Sequence, residues 1–353
     1  MRARTRASCL VRRVWAGGWN AQDAEECQNA LAEIRKSGDR LLVASHLIDC
    51  NFIQWSSSRY REAKESAVEN LAILFKAEGE NPYLSFAYWL SQFTLPWTLL
   101  FLGEWGEALA EIRAGISMAE KNGDHYRGQT LRLYQAWVHL NAMDFVGVVR
   151  ICESVLPELG TPGRGPWRRF ALIFAGSAEA SLGNYGSAQK YLSAGADEMH
   201  LQTLIFDWYF RMMLQSALTE LWLAKGDLVR AQAEAERFLS ITLATAERTW
   251  QALAWEANAR VAMAQLDRDR ARDCIAKALS TMEGLEVPLA HWRVHATAAE
   301  LYGASDNSES ANHHRELSRA TILKLADSLP AEEPLRRTFL SAPSVSRVLG
   351  DLS

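Results

Sequence analysis

Cysteine is scarce: five residues in 353, at positions 9, 27, 50, 152 and 274. Their number is odd, their spacing is scattered, and no C-x-x-C occurs. Neither a disulfide framework nor a zinc knuckle is therefore expected, and the usage suits a reducing compartment, the cytoplasm. Glycine (21) and proline (9) fall short of the roughly 12% typical of globular chains. That excludes a linker-rich or turn-dense all-β protein. Neither sign of charge dominates, with 38 basic and 42 acidic residues and a net charge of −4. Nothing marks a polyanion-binding face, so nucleic acid is not an expected partner. No apolar run near the N-terminus is long enough for a secretory signal, and Arg2, Arg4, Arg6, Arg12 and Arg13 read as part of a helix. No segment alternates cleanly over a strand length, so no sheet is expected.

Catalytic signatures are missing too. No G-x-x-x-x-G-K-S/T occurs, and the glycine cluster at 160–165 lacks the lysine and follows no strand. No G-x-S-x-G occurs either. His291 and His295 are four apart, a spacing that can begin a metal site. However, the residue after the first histidine is Trp292, where a metalloprotease has Glu, and no third ligand is evident. His313 and His314 are adjacent and diverge. Acid pairs such as Asp197–Glu198 and Glu332–Glu333 read as solvated. No enzyme activity, no cofactor and no metal is expected; purified chain should neither hydrolyse ATP or GTP nor show cyclase turnover.

One uncharged stretch, residues 81–103, is long enough to cross a bilayer. It contains Gln92, Pro96, two serines and two threonines, and has no flanking basic bias. It also falls where a repeat demands a buried helix, so a membrane is not an expected partner. That repeat is the main signal in the sequence. The stretches 102–108, 182–188, 225–231 and 265–271 look alike, and the first three carry Gly five residues before Ala. Extending the pattern gives markers at Ala63, Ala108, Val148, Ala188, Ala231, Ala271 and Ala311, spaced 45, 40, 40, 43, 40 and 40 apart. Three residues before each stand Tyr60, Trp105, Phe145, Tyr185, Leu228, Arg268 and Ser308. A partial unit with Gly17, Trp19 and Gln22 precedes them. Each unit reads as two helices: the first ends at the Gly, which suits a left-handed closing residue, and the second begins just after it. The small Ala admits a close helix approach. Pro82 and Pro288 sit where first helices should start.

Two aromatic series follow the repeat. Trp89, Tyr126, Trp167, Trp208, Trp250 and Trp292 recur 19 to 23 residues before the markers. They either pack one unit on the next or form a ligand-facing ladder. Eleven residues before the markers lie Phe52, Trp97, Trp137, Ser177, Glu220, Arg260 and Glu300.

Gly183, Tyr185 and Ala188, with Gly176 upstream, resemble the tetratricopeptide (TPR) repeat. Gly103, Trp105 and Ala108 match it equally well at the turn. The resemblance covers roughly residues 15–326. It departs from the family in its period of about 40 residues against 34, and in the loss of the turn aromatic at Arg268 and Ser308. It implies an all-α fold, an α-solenoid of antiparallel helix pairs. The expected layout is a partial first repeat at 1–38, a solenoid at 39–326 and a tail or cap at 327–353, stabilised by stacking between neighbouring units. In the family, the position eleven before the marker tends to face the concave groove. The groove would then be aromatic at Phe52, Trp97 and Trp137 and charged at Glu220, Arg260 and Glu300. Partly exposed rings at Trp97 and Trp137 would grip a protein or peptide partner. Alternatively, these residues are simply core or surface. Residues 327–349 resemble the segment closing the helical-repeat region of large bacterial signalling proteins, which carry an ATPase module, a class III adenylate/guanylate cyclase domain or a terminal helix-turn-helix. That implies a non-enzymatic scaffold or sensor with a tethered or cognate ATPase or cyclase module. The other readings are a segment of such a regulator whose catalytic domain lies elsewhere, and a small-molecule sensor using the aromatic half of the groove.

Overall fold

The computed structural model describes residues 21–75, 82–160, 165–204, 206–305 and 307–350, with 13, 14, 16 and 17 besides. The arginines up to Arg12, Trp19, the centre of the 160–166 loop and the side chain of Trp89 lie outside the described residues. Seventeen helices and no strand occur among the described residues. They are α1 (Ala21–Arg35), α2 (Arg40–Trp55), α3 (Tyr60–Phe75), α4 (Pro82–Leu102), α5 (Trp105–Lys121) and α6 (His125–Asn141). Then come α7 (Phe145–Val155), α8 (Pro166–Ser181), α9 (Tyr185–Leu201), α10 (Asp207–Ala224), α11 (Leu228–Leu243) and α12 (Arg248–Ala264). The chain finishes with α13 (Arg268–Met282), α14 (Pro288–Gly303), α15 (Ser308–Asp327), α16 (Pro334–Ser341) and α17 (Pro343–Leu349). The fold is an all-α solenoid of helix pairs.

The turn chemistry explains the period. Ser58, Gly103, Met143, Gly183, Gly226 and Leu266 all have positive φ, and each stands five residues before a marker. At each, the next N–H reaches back five residues, as Glu104 does to the Leu99 carbonyl and Asp267 to that of Ala262. This is the Schellman closure of a helix. Half of these positions are not glycine, so a left-handed residue costing about 1–2 kcal/mol is tolerated there. The second helices begin at Tyr60, Trp105, Phe145, Tyr185, Leu228, Arg268 and Ser308, and the aspartates before Phe145, Leu228 and Arg268 cap them by accepting from the N–H three residues on. Every marker is buried. Gly176 is small for a reason of contact: a Cβ there would lie 2.6 Å from Leu192 of the paired helix. Residues 82–102 form α4, buried from Phe93 onward. Among the described residues no helix is long and apolar enough to cross a membrane.

Stacking between neighbours does not account for the whole fold. One hydrophobic core runs from Val14 to Leu349, because the solenoid closes on itself. At the α2–α3 turn, the Ser58 Oγ donates to Glu247 (2.8 Å) and accepts from the N–H groups of Arg248 (2.8 Å) and Thr249 (3.1 Å) at the start of α12. The Tyr60 hydroxyl donates to the same carboxylate. Arg61 pairs with Glu286 at 2.6 Å. The α4–α5 turn meets α15, with Gly103 facing Leu325 and Pro288, and the Trp105 N–H donates to Ser328 at 3.1 Å. The short tail helices seal the joint: Phe339 packs edge-on to Trp105 at 5.0 Å, and Arg113 pairs with Glu333 at 2.9 Å.

Candidate functional site

The closure decides what lies along the register eleven residues before the markers. In the N-terminal half it points into a continuous aromatic interior. Phe52 is 5% exposed, Trp97 6% and Trp137 3%. Trp97 meets Trp55 at 4.2 Å, Trp137 at 5.1 Å and Tyr209 at 5.3 Å. Trp137 also meets Phe101, Phe170 and Phe174, and Phe52 stacks on Phe206. The expectation of an aromatic groove at Phe52, Trp97 and Trp137, with partly exposed rings at Trp97 and Trp137, is therefore corrected: these rings fill the middle of the protein. The physical reason is that Trp55 of α2, Phe170 and Phe174 of α8, and Phe206 and Tyr209 at the start of α10 come round to cover them. The other series also packs units together. Trp208 bonds to the Val14 carbonyl (2.8 Å), Trp250 to the Tyr209 hydroxyl (3.0 Å), and Trp292 packs on Phe339.

In the C-terminal half the same register surfaces as charge. Glu220 on α10, Arg260 on α12 and Glu300 on α14 follow one another at intervals of 40 residues. Arg260 grips Glu220 with both terminal nitrogens, Nη2–Oε2 being 2.9 Å, and both side chains are about two-fifths exposed. Glu300 is exposed and takes Arg347 from α17 at 3.1 Å. Glu256, one turn before Arg260, is buried. It accepts from the Thr297 hydroxyl at 2.7 Å and lies 3.7 Å from the Arg260 Nε. Burial pushes the Glu256 carboxyl up, with Arg260 opposing. The field of Glu220, against burial, holds the Arg260 pKa above its ordinary range.

Arg293 of α14, which the sequence did not single out, joins this strip. Its guanidinium lies 5.4 Å from the Trp292 ring, and among the described residues no ion pair or hydrogen bond engages it. Burial lowers its pKa, opposed by Glu256 and Glu220. Its side chain is half-buried. No periodic signal could have found it, since the equivalent residue 40 earlier is Leu253. The strip thus presents Glu220, Arg260 and Glu300 in alternating sign across three adjacent first helices, with Arg293 as a second cation on the last of them.

His291 and His295 pack against α15, where His295 Nδ1 meets His314 Nδ1 and His291 Nδ1 meets the Thr321 hydroxyl, both at 2.8 Å. Among the described residues, the side chains grouped closely enough to hold a metal are Cys27, His46 and Cys50 of α1 and α2. The sequence offered a partial signal there, His46 four residues before Cys50.

No protein-family model matches the chain, and no curated protein sequence matches it. The fold does have solved counterparts. A Rap protein complexed with Competence and Sporulation Factor superposes with a TM-score of 0.64 at 15% identity, over 85% of this chain and 81% of that one. A monomeric IFIT1 mutant with m7Gppp-AAAA aligns over 97% of this chain and 76% of the other at 13% identity. Its TM-score of 0.38 is too low to establish a shared fold. The Rap likeness identifies the architecture: this chain is a TPR-like helical-repeat protein.

Proposed function

We propose that the chain is a non-enzymatic scaffold or sensor that binds a protein or peptide along the strip formed by Glu220, Arg260, Arg293 and Glu300. The observation that carries this reading is Arg293, a partly buried cation with no carboxylate partner among the described residues, set beside an alternating row of charges. A partner's carboxylate would give Arg293 the counter-ion it lacks among the described residues, and a partner's cation would find Glu220 or Glu300. Such groups fix orientation and register more than they add raw affinity. A Rap protein of the same architecture forms a complex with Competence and Sporulation Factor; holding a regulatory partner is the use proposed for the fold here too. The same reading makes the chain the cytoplasmic sensor portion of a larger bacterial signalling regulator, with a tethered or cognate ATPase or adenylate/guanylate cyclase module. A reading frame for such a module adjoining this one would support that part.

The test is selection of binders from a random peptide library displayed on phage, followed by titration of the selected peptides. Arg293→Ala should weaken the selected peptides at least tenfold, about 1.4 kcal/mol, without changing the melting temperature. Peptides that bind with undiminished affinity to both Arg293→Ala and Arg260→Ala would remove the strip as the site.

A further inference from the structure

Three side chains from the first helix hairpin converge in the interior. His46 and Cys50 are four apart on α2 and therefore share a face. Cys27 faces them from α1. All three residues are buried. The Cys27 and Cys50 sulfurs are 3.0 Å apart, the Cys27 sulfur is 3.9 Å from His46 Nε2, and the three ligand atoms all lie within 4.8 Å of one another. The other imidazole nitrogen, Nδ1, faces the Asp49 carboxylate at 3.8 Å. The Cys27 carbonyl oxygen also borders the group, 3.2 Å from His46 Nε2 and 3.7 Å from the Cys50 sulfur.

We propose that Cys27, His46 and Cys50 bind a thiophilic d10 cation, zinc by class, that staples α1 to α2. A tetrahedral zinc with Zn–S of about 2.3 Å and Zn–N of about 2.0–2.1 Å holds its ligand atoms roughly 3.5–3.8 Å apart. The sulfurs, 3.0 Å apart, would separate by under an ångström and the His46 Nε2, 3.9 Å from the Cys27 sulfur, would approach it by a few tenths, the Cys50 sulfur and the imidazole lying within 4.8 Å of each other. The fourth position falls to the Cys27 carbonyl or a water. Asp49 behind the ring is the partner that orients metal-bound histidines. The sulfur separation is well beyond the roughly 2.05 Å of a disulfide. A staple here has a physical purpose. A metal shared by α1 and α2 adds its binding free energy to folding.

The experiment uses the full chain, purified reduced and with any affinity tag removed. Native mass spectrometry should show one zinc per chain, the mass rising by one zinc less the protons it displaces. Cobalt(II) in place of zinc should give thiolate-to-metal absorption in the near ultraviolet. That band should vanish in Cys27→Ser and Cys50→Ser and persist in Cys274→Ala. Zinc should raise the melting temperature and a chelator should reverse the rise. The cobalt and mass measurements on the unmodified chain hold even if a serine variant fails to fold. The proposal is overturned if the folded, reduced chain takes up neither zinc nor cobalt, or if Cys27 and Cys50 are found joined as a disulfide in chain never exposed to oxidant.

Discussion

Trp137→Ala separates a core reading of the aromatic register from a groove reading. The ring is 3% exposed and has Trp97, Phe101, Phe170, Phe174 and Tyr209 within ring-centroid distances of 5.1 to 6.0 Å. An aromatic side chain of this kind buries about 150–250 Å². At about 25 cal/mol per Å² that amounts to roughly 4–6 kcal/mol, an upper figure because unfolded chains already bury part of it. Measured truncations of buried Phe and Trp cost about 3–5 kcal/mol, and the two figures overlap. Unfolding entropy of about 2.1 cal/mol/K per residue over this length converts the loss to a melting-temperature drop of about 4–7 °C. Urea and thermal unfolding followed by circular dichroism measure it, with Val229→Ala, a change on the exposed face of α11, as the control. A drop no larger than the control's would refute the packed interior and return Trp137 to the groove.

Two further outcomes test the closure and the charged strip. Gly103→Ala and Gly183→Ala meet the same backbone strain (φ +77° and +81°), but a Cβ at 103 would lie 2.4 Å from Leu325 while one at 183 meets nothing within 4 Å. Gly183→Ala should therefore cost about 1–2 kcal/mol and Gly103→Ala clearly more; equal losses by denaturant titration would contradict the α4–α15 contact. Burial raises the Glu256 carboxyl above its ordinary 4.5, so the folded state holds that proton more tightly than the unfolded one. The stability this contributes is full below 4.5 and is lost as pH rises through the folded value. Glu256→Gln keeps an acceptor for Thr297 and does not titrate. Its stability relative to the parent chain should rise as pH climbs from about 4.5, and a difference independent of pH would show that Glu256 is not held in this way.

The repeat was legible because its cause is local. A left-handed closing residue, a cap and a small marker residue recur within a few positions of one another, so a period of about 40 exposes them. The marker series placed the start of seven second helices at Tyr60 through Ser308, even where Met143 and Leu266 replace glycine. The all-α architecture and the buried character of residues 93–102 follow from the same local rules. What only the tertiary structure decided is which face of each first helix meets water. A sequence register gives the direction in which Trp137 and Glu220 point, and that direction is shared. Whether it opens on a groove or a core depends on where the chain 190 residues later arrives, as when Glu247 reaches Ser58 and Tyr60. The Cys27–His46–Cys50 group was only half legible for the same reason: His46 and Cys50 share one helix at a spacing of four, but Cys27 comes from another, and no spacing along one chain encodes the distance between two helices that pack.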